Sequence, residues 1–215
     1  KPIDVSGQWR YQMRPGKAGS DDFKVWSDPY QRTVSSGYDG RVTKHGIPLR
    51  RYVMDSEELT KVNSKYFNYI DGLVNLTAPY GGMPVFASLP QMYGVDPKWS
   101  STVQGMQKVS YDDVRSYFDV EKYTGIVLEG HSRQQINFML ANGTNYFNVW
   151  NVNVTQGVLY PISISDETKS FSESESNWYE DNIYYIANVS KIIFIIGLVF
   201  GSLLFVAGGG FFFFL

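Results

Sequence analysis

The chain has 215 residues, with 19 Lys plus Arg against 21 Asp plus Glu, two histidines and no cysteine. Near-balanced charge, with no basic tract longer than Arg50-Arg51, argues against a nucleic-acid partner. The missing cysteines exclude disulfides, thiol nucleophiles, thiolate zinc sites and iron–sulfur clusters.

Residues 1–45 are rich in Gly, Ser, Asp and Lys with scattered aromatics (Trp9, Tyr11, Phe23, Trp26, Tyr30). They hold neither a helical nor a strand period for long, which predicts irregular surface with short strands. Ile47 to Met54 reads as a strand with Pro48 at its entry, and Glu57 to Val62 as one helical turn or a loop. Arg115 to Glu121 alternates, Lys122 to Gly125 supplies a turn, and Ile126 to Leu128 resumes, which makes a hairpin. Gln134 to Leu140 is a further strand, followed by a tight-turn signal at Asn142-Gly143. Tyr146 to Val154 alternates with a bulge at Trp150, putting Asn151 and Asn153 on one face and Val152 and Val154 on the other. Residues 165–182 are acidic and serine-rich, with Asp166, Glu167, Glu173, Glu175, Glu180 and Asp181 against Lys169, and read as a solvated stalk or loop.

Ile192 to Leu215 carries no charged side chain and one hydroxyl, Ser202. As a helix it reaches about 36 Å, enough to cross a hydrocarbon core of about 30 Å. Gly197 and Gly201 form a small-xxx-small pair that admits a partner helix closely. The expected division is residues 1–183 as ectodomain and 184–215 as juxtamembrane segment and membrane helix. Lys1-Pro2 is no secretory start and Phe211 to Leu215 lacks a basic flank, so a longer parent polypeptide is expected. The sequons at Asn75, Asn142 and Asn153 are candidate glycosylation sites; a fourth, at Asn188, lies too near the membrane. They point to an extracellular or lumenal domain.

His45 and His131 are too separated for a metal-ligand motif, and no nucleophile elbow, zincin, phosphate-loop or dinucleotide-binding sequence is present. No metal or cofactor is therefore expected. Asp119 with Glu121, or Asp112-Asp113, is the best enzyme-like constellation. General acid/base work needs one carboxyl buried with a raised pKa. A run ending in Lys122 and a turn reads as exposed, so no catalytic residue is assigned.

Several motifs follow one another in a recognisable order. Gly82-Met-Pro-Val-Phe-Ala-Ser-Leu-Pro90 is followed by Asp96-Pro97, Val103-Gln-Gly105, Tyr117-Phe-Asp-Val-Glu121 with Thr124-Gly125, and Arg133-Gln-Gln-Ile-Asn137. Gly46-Ile-Pro-Leu-Arg-Arg-Tyr-Val53 precedes them and Leu159-Tyr-Pro-Ile162 follows. This order resembles the class B scavenger receptor family, which includes the fatty-acid translocase of platelets and the lysosomal integral membrane proteins. The chain departs from that pattern at Lys122, where the family has proline, and at Gln91-Met92, where it has His-Phe, and it lacks the cysteines of familiar members.

The resemblance implies a mainly β fold with some α, an antiparallel β-barrel-like ectodomain followed by one C-terminal transmembrane helix. It also implies a lipid-accessible tunnel, at the plasma membrane or in a lysosome-like compartment. Alternation nominates Val85, Phe118, Val120, Ile126, Leu128, Ile136, Phe138 and Leu140, with Val152, Val154 and Ile162, as inward-facing. Such residues either fill a barrel interior or line a tunnel, and alternation does not distinguish the two. The expected partners are membrane lipids, a lipid or lipoprotein ligand, and the first transmembrane helix of the same protein or other membrane subunits. The expected function is lipid binding and passage toward the bilayer. A structural or adhesive subunit is the alternative, and a glycan-active enzyme using Asp119 and Glu121 a third.

Overall fold

The computed structural model describes residues 8–9, 12–19, 22–27, 30, 32–54, 70–140 and 157–212. The readings over 57–62, Asn142-Gly143 and 146–154, with the sequons at Asn142 and Asn153 and the inward positions Val152 and Val154, lie outside the described residues.

One largely antiparallel sheet dominates: β1 (Gln8–Trp9), β2 (Phe23–Ser27), β3 (Arg32–Lys44), β4 (Ile47–Met54), β5 (Val74–Asn75), β6 (Val85–Ser88), β7 (Tyr117–Glu121), β8 (Val127–Leu140) and β9 (Val158–Lys169). Their order is β1-β2-β3-β4-β7-β8-β6-β5, with β9 also paired to β8 and only β1-β2 parallel. The sheet is open, so the barrel-like expectation holds for strand direction and pleat but not for closure. Short helices α1 (Pro97–Ser100) and α2 (Tyr111–Val114) lie between β6 and β7. Asp96 caps α1 by accepting from the Lys98 N–H, and Ser110 with Asp113 forms a capping box on α2.

Three expectations change. β3 is a 13-residue strand within the region read as irregular; Ser35, Ser36, Gly37 and Gly40 break its alternation, and pairing with β2 and β4 supplies what propensity does not. The hairpin's second arm and the strand at 134–140 are one 14-residue strand, β8. The acidic stretch is not a stalk: β9 runs through Lys169 and a helix begins at Glu173, where Ser172 and Glu175 form a capping box.

The chain divides into two compact units, one of residues 1–43 and 48–170 and the other of 44–47 and 171–215. In the second, α3 (Glu173–Tyr179) passes through a π-helical turn (Glu180–Tyr184) into α4 (Tyr185–Phe212). The His45-Gly46 turn, both residues at positive φ (45° and 80°), sits against the base of this run. Ser176 Oγ donates to the His45 carbonyl, and the His45 ring meets Phe171 edge-on at 5.4 Å. From Ile192 onward the described side chains of α4 are exposed and apolar apart from Gly197, Gly201 and Ser202. Among the described residues one helix is long and apolar enough to cross a membrane.

Candidate functional site

Strand register builds one apolar face across β4, β7, β8 and β6. Tyr52 stands opposite Phe118, Phe118 opposite Gly130, Ile136 opposite Ala87 and Phe138 opposite Val85. Because side chains alternate, the even-numbered residues of β8 from Gly130 onward share that face. Gly130 leaves room for Phe118: a Cβ there would stand 3.2 Å from the Phe118 ring and 2.8 Å from the Tyr117 carbonyl oxygen.

The face carries two packed clusters. Tyr52, Phe118, Val120 and Val127 join Met13 and Ala18 in one. Val85, Ala87, Met54 and Leu89 join Tyr30, Val34, Val74, Leu76 and Val114 in the other, with Ile136, Phe138 and Val109 packed against it. Of the expected inward positions, Val85, Phe118 and Val120 are buried, Ile136 and Phe138 are half-buried, and Leu140 is half-buried opposite Val158. A bulge between Asp119 and Val120 leaves Leu128 as the extra, buried residue of β8 and resets the alternation. Val127 thus faces the cluster, whereas Ile126 bridges to Gln12; Ile162 is exposed on β9. Tyr52 and Met54 complete the face and were legible only once β4 was paired with β7.

The opposite face carries polar contacts along β4, β7 and β8. Arg51 grips Asp119 with two hydrogen bonds, 2.8 and 2.7 Å, and its guanidinium lies 4.1 Å from the Tyr117 ring centroid. The Asp119 hydrogen bond pushes the Arg51 pKa up from its ordinary value. Tyr117 stacks on His131 at 5.1 Å, and His131 Nδ1 accepts from Arg133 at 2.8 Å. Arg133 also donates to Asp166 on β9 at 3.0 Å and to the Arg115 carbonyl at 3.2 Å.

Asp119 and Glu121 are not exposed, contrary to expectation, at 2% and 0%. Arg51 spans both oxygens of Asp119. Glu121 accepts from the Tyr123 N–H at 2.9 Å and from the Thr124 N–H and hydroxyl, both at 2.7 Å. Both carboxylates are thus engaged in joining strands or closing a turn. Among the described residues no group of three His, Asp or Glu is placed to hold a metal ion.

A third feature escapes alternation altogether. Gln135 and Asn137, on the β8 face away from Ile136, are completely buried. Gln135 Nε2 donates to Asn137 Oδ1 at 2.7 Å, and Asn137 Nδ2 donates to Ser88 Oγ at 3.0 Å. Gln135 Oε1 accepts from the Gln91 backbone N–H at 2.8 Å. That bond anchors a strained turn, for Gln91 and Met92 both adopt left-handed backbone angles, φ 58° and 54°. Non-glycine residues there cost on the order of 1–3 kcal/mol each and persist only where the surroundings hold them.

At the first sequon, Asn75 lies on β5 opposite Phe86 and its Oδ1 accepts from the Thr77 N–H at 2.9 Å. Asn188 lies within α4. A would-be Cβ at Gly197 or Gly201 meets nothing within 4 Å, so the pair is open.

This is the architecture of a membrane-anchored β ectodomain. The chain belongs to the CD36 family, whose model matches residues 5–212. It is similar to lysosome membrane protein 2-C of Dictyostelium discoideum, 26% identical over 196 residues that cover 86% of the chain and 25% of the relative. Mouse lysosome membrane protein 2 is 25% identical, covering 79% of the chain and 37% of the relative. Sensory neuron membrane protein 2 of Anopheles gambiae is 24% identical, covering 83% and 33%. The chain thus spans between a quarter and two fifths of the length of these relatives. It is a scavenger-receptor-like membrane protein with its ectodomain on the lumenal or extracellular side.

Proposed function

We propose that this chain is the membrane-proximal part of a lipid-binding receptor that takes up acyl chains on the apolar face of its sheet and passes lipid toward the bilayer. Residues 1–183 then form part of the ectodomain and 184–215 the juxtamembrane segment and membrane helix. The observation that carries the reading is the pair of apolar clusters on one sheet face, one holding Tyr52 and Phe118 and the other receiving Ile136 and Phe138, in a chain that also holds a membrane-spanning helix. Each acyl methylene buried there contributes about 0.8 kcal/mol. Ile136 and Phe138, still half-exposed, are the wall residues with surface left to bury. Relatives named for the lysosome membrane make a lysosome-like compartment the reading for location, with the plasma membrane as the other candidate. Gly197 and Gly201 would receive a second membrane helix, from the same protein or another subunit.

A structural or adhesive subunit is the second reading, and the dense cluster around Val120 and Tyr52, both 0% exposed, favours it. The test is photo-crosslinking of a diazirine fatty acid to the full chain in nanodiscs, with crosslinks mapped by mass spectrometry. Labelling at Ile136 and Phe138 that excess unlabelled fatty acid competes away supports lipid binding. Labelling confined to α4 moves the weight to the structural reading.

A further inference from the structure

We propose that residues 101–110 form a strap across the edge of the apolar face, and that the Gln91 side chain is the latch that holds it. The inference rests on the lipid reading above and names the element that controls access to that face. The strap spans two apolar clusters. Val103 and Met106 pack with Leu73, Met92, Val95 and Leu159 on one side, while Val109 packs against the Val85 cluster that also receives Ile136 and Phe138. Its bend is at Gly105, φ 89°, where a Cβ would meet nothing within 4 Å. Between the two anchorages the Gln107 N–H donates to Gln91 Oε1 at 2.9 Å. Among the described residues this is the only hydrogen bond made by residues 104–109.

The other side of the latch is rigid. Gln91 is itself held by Gln135, a completely buried side chain, and the next residue, Met92, is buried in the cluster that Val103 and Met106 join. A strained turn fixed from beneath thus presents one side-chain acceptor to an otherwise unbonded loop. Releasing that acceptor frees the segment between the two clusters without disturbing the sheet, because no strand pairing passes through it.

Gln91→Asn and Gln91→Gly both tolerate the left-handed backbone, and neither reaches Gln107; Gln91→Glu keeps an acceptor of the right length. The experiment measures hydrogen–deuterium exchange of residues 101–110 and uptake of a fluorescent long-chain fatty acid, in the same preparations of the full chain in phosphatidylcholine nanodiscs. The expected result is exchange faster by about tenfold and uptake faster by several-fold for the Asn and Gly variants, with Gln91→Glu close to wild type. Exchange unchanged by both variants overturns the latch. Faster exchange with unchanged uptake by a wild type that does take up lipid overturns the strap's control of access. No uptake by any form overturns the lipid reading and with it that control, and the exchange data tell this failure from failure of the latch.

Discussion

Replacing Gln135 with leucine tests the central claim about the polar side of the sheet, because the two side chains are close in size and differ in hydrogen bonding. The substitution orphans the Gln91 N–H and Asn137 Oδ1, its partners at 2.8 and 2.7 Å. With Gln135 at 0% exposure, water does not replace it without opening the structure. The two orphaned groups cost about 1–3 kcal/mol each, and burial of the extra apolar surface returns roughly 1 kcal/mol, leaving a net loss of about 1–5 kcal/mol. Urea unfolding of the full chain in one fixed detergent, followed by tryptophan fluorescence, reads this as a lower midpoint at unchanged slope. The double variant with Asn137→Leu removes donor and acceptor together, so its loss should fall short of the sum of the single losses by about 1–2 kcal/mol. A single-variant loss below about 1 kcal/mol, or strict additivity in the double variant, refutes the argument that these buried amides are mutually satisfied.

Arg51→Met leaves the Asp119 carboxylate, 3% exposed, without its guanidinium. Breaking a buried pair costs about 3–5 kcal/mol, which the one-quarter exposure of Arg51 reduces to about 2–3 kcal/mol, with partial recovery on adding Asp119→Asn, by the same urea assay. Asn75→Gln should remove one glycan, read as a gel-mobility shift matching enzymatic deglycosylation at that site, whereas Asn188→Gln should not change mobility. For Asp166, burial raises the carboxyl pKa, but the hydrogen bond and charge of Arg133 outweigh it and the group is held below its ordinary value. A depressed carboxylate contributes stability above its unfolded pKa, about 3.9, and loses it as pH falls through the folded value. Exchange protection at the Arg133–Asp166 rung should therefore stay level from about pH 7 to 5 and fall only below about pH 4; a loss beginning near pH 6 would refute the assignment to Asp166.

The sequence announces β4, the β7 hairpin and the membrane helix because each is locally consistent: apolar alternation, a Gly-ended turn, an unbroken apolar run. It conceals β3 and the middle of β8, because Ser36-Gly37 and Gly130-His131-Ser132 form strands through their neighbours rather than their own propensity. β9 looks like a charged stalk until Arg133 is found opposite Asp166 and Thr168 opposite His131. The apolar face was partly visible, since Val85, Phe118, Val120, Ile136 and Phe138 follow strand parity; the bulge at Leu128, which no local signal marks, substitutes Val127 for Ile126. Gln135 and Asn137 were hidden for the opposite reason. Alternation sends polar residues to solvent, but here Phe86 and Met139 on the same side of the sheet pack against the cluster of Leu73, Met92, Val95 and Leu159, and both amides are fully buried.

The residues that carry the family resemblance are joints. Arg51 and Asp119 come from two motifs and meet across β4 and β7. Glu121 and Thr124 close the turn before β8, and Ser88, Gln135 and Asn137 tie β6 to β8. All are polar, and apart from the turn pair they stand on the β7 and β8 faces away from Phe118 and Ile136. Joints of this kind specify register, since a one-residue slip would bury every unpaired partner. They say little about what touches the apolar side, where hydrophobic residues of similar volume substitute for one another. On the lipid reading proposed above, ligand preference is therefore to be sought at Ile136, Phe138 and the segment over the Val85 cluster. Gln91 sits where the joint network and that segment meet, so on the proposal above one substitution there should change access to the apolar face while leaving the frame intact.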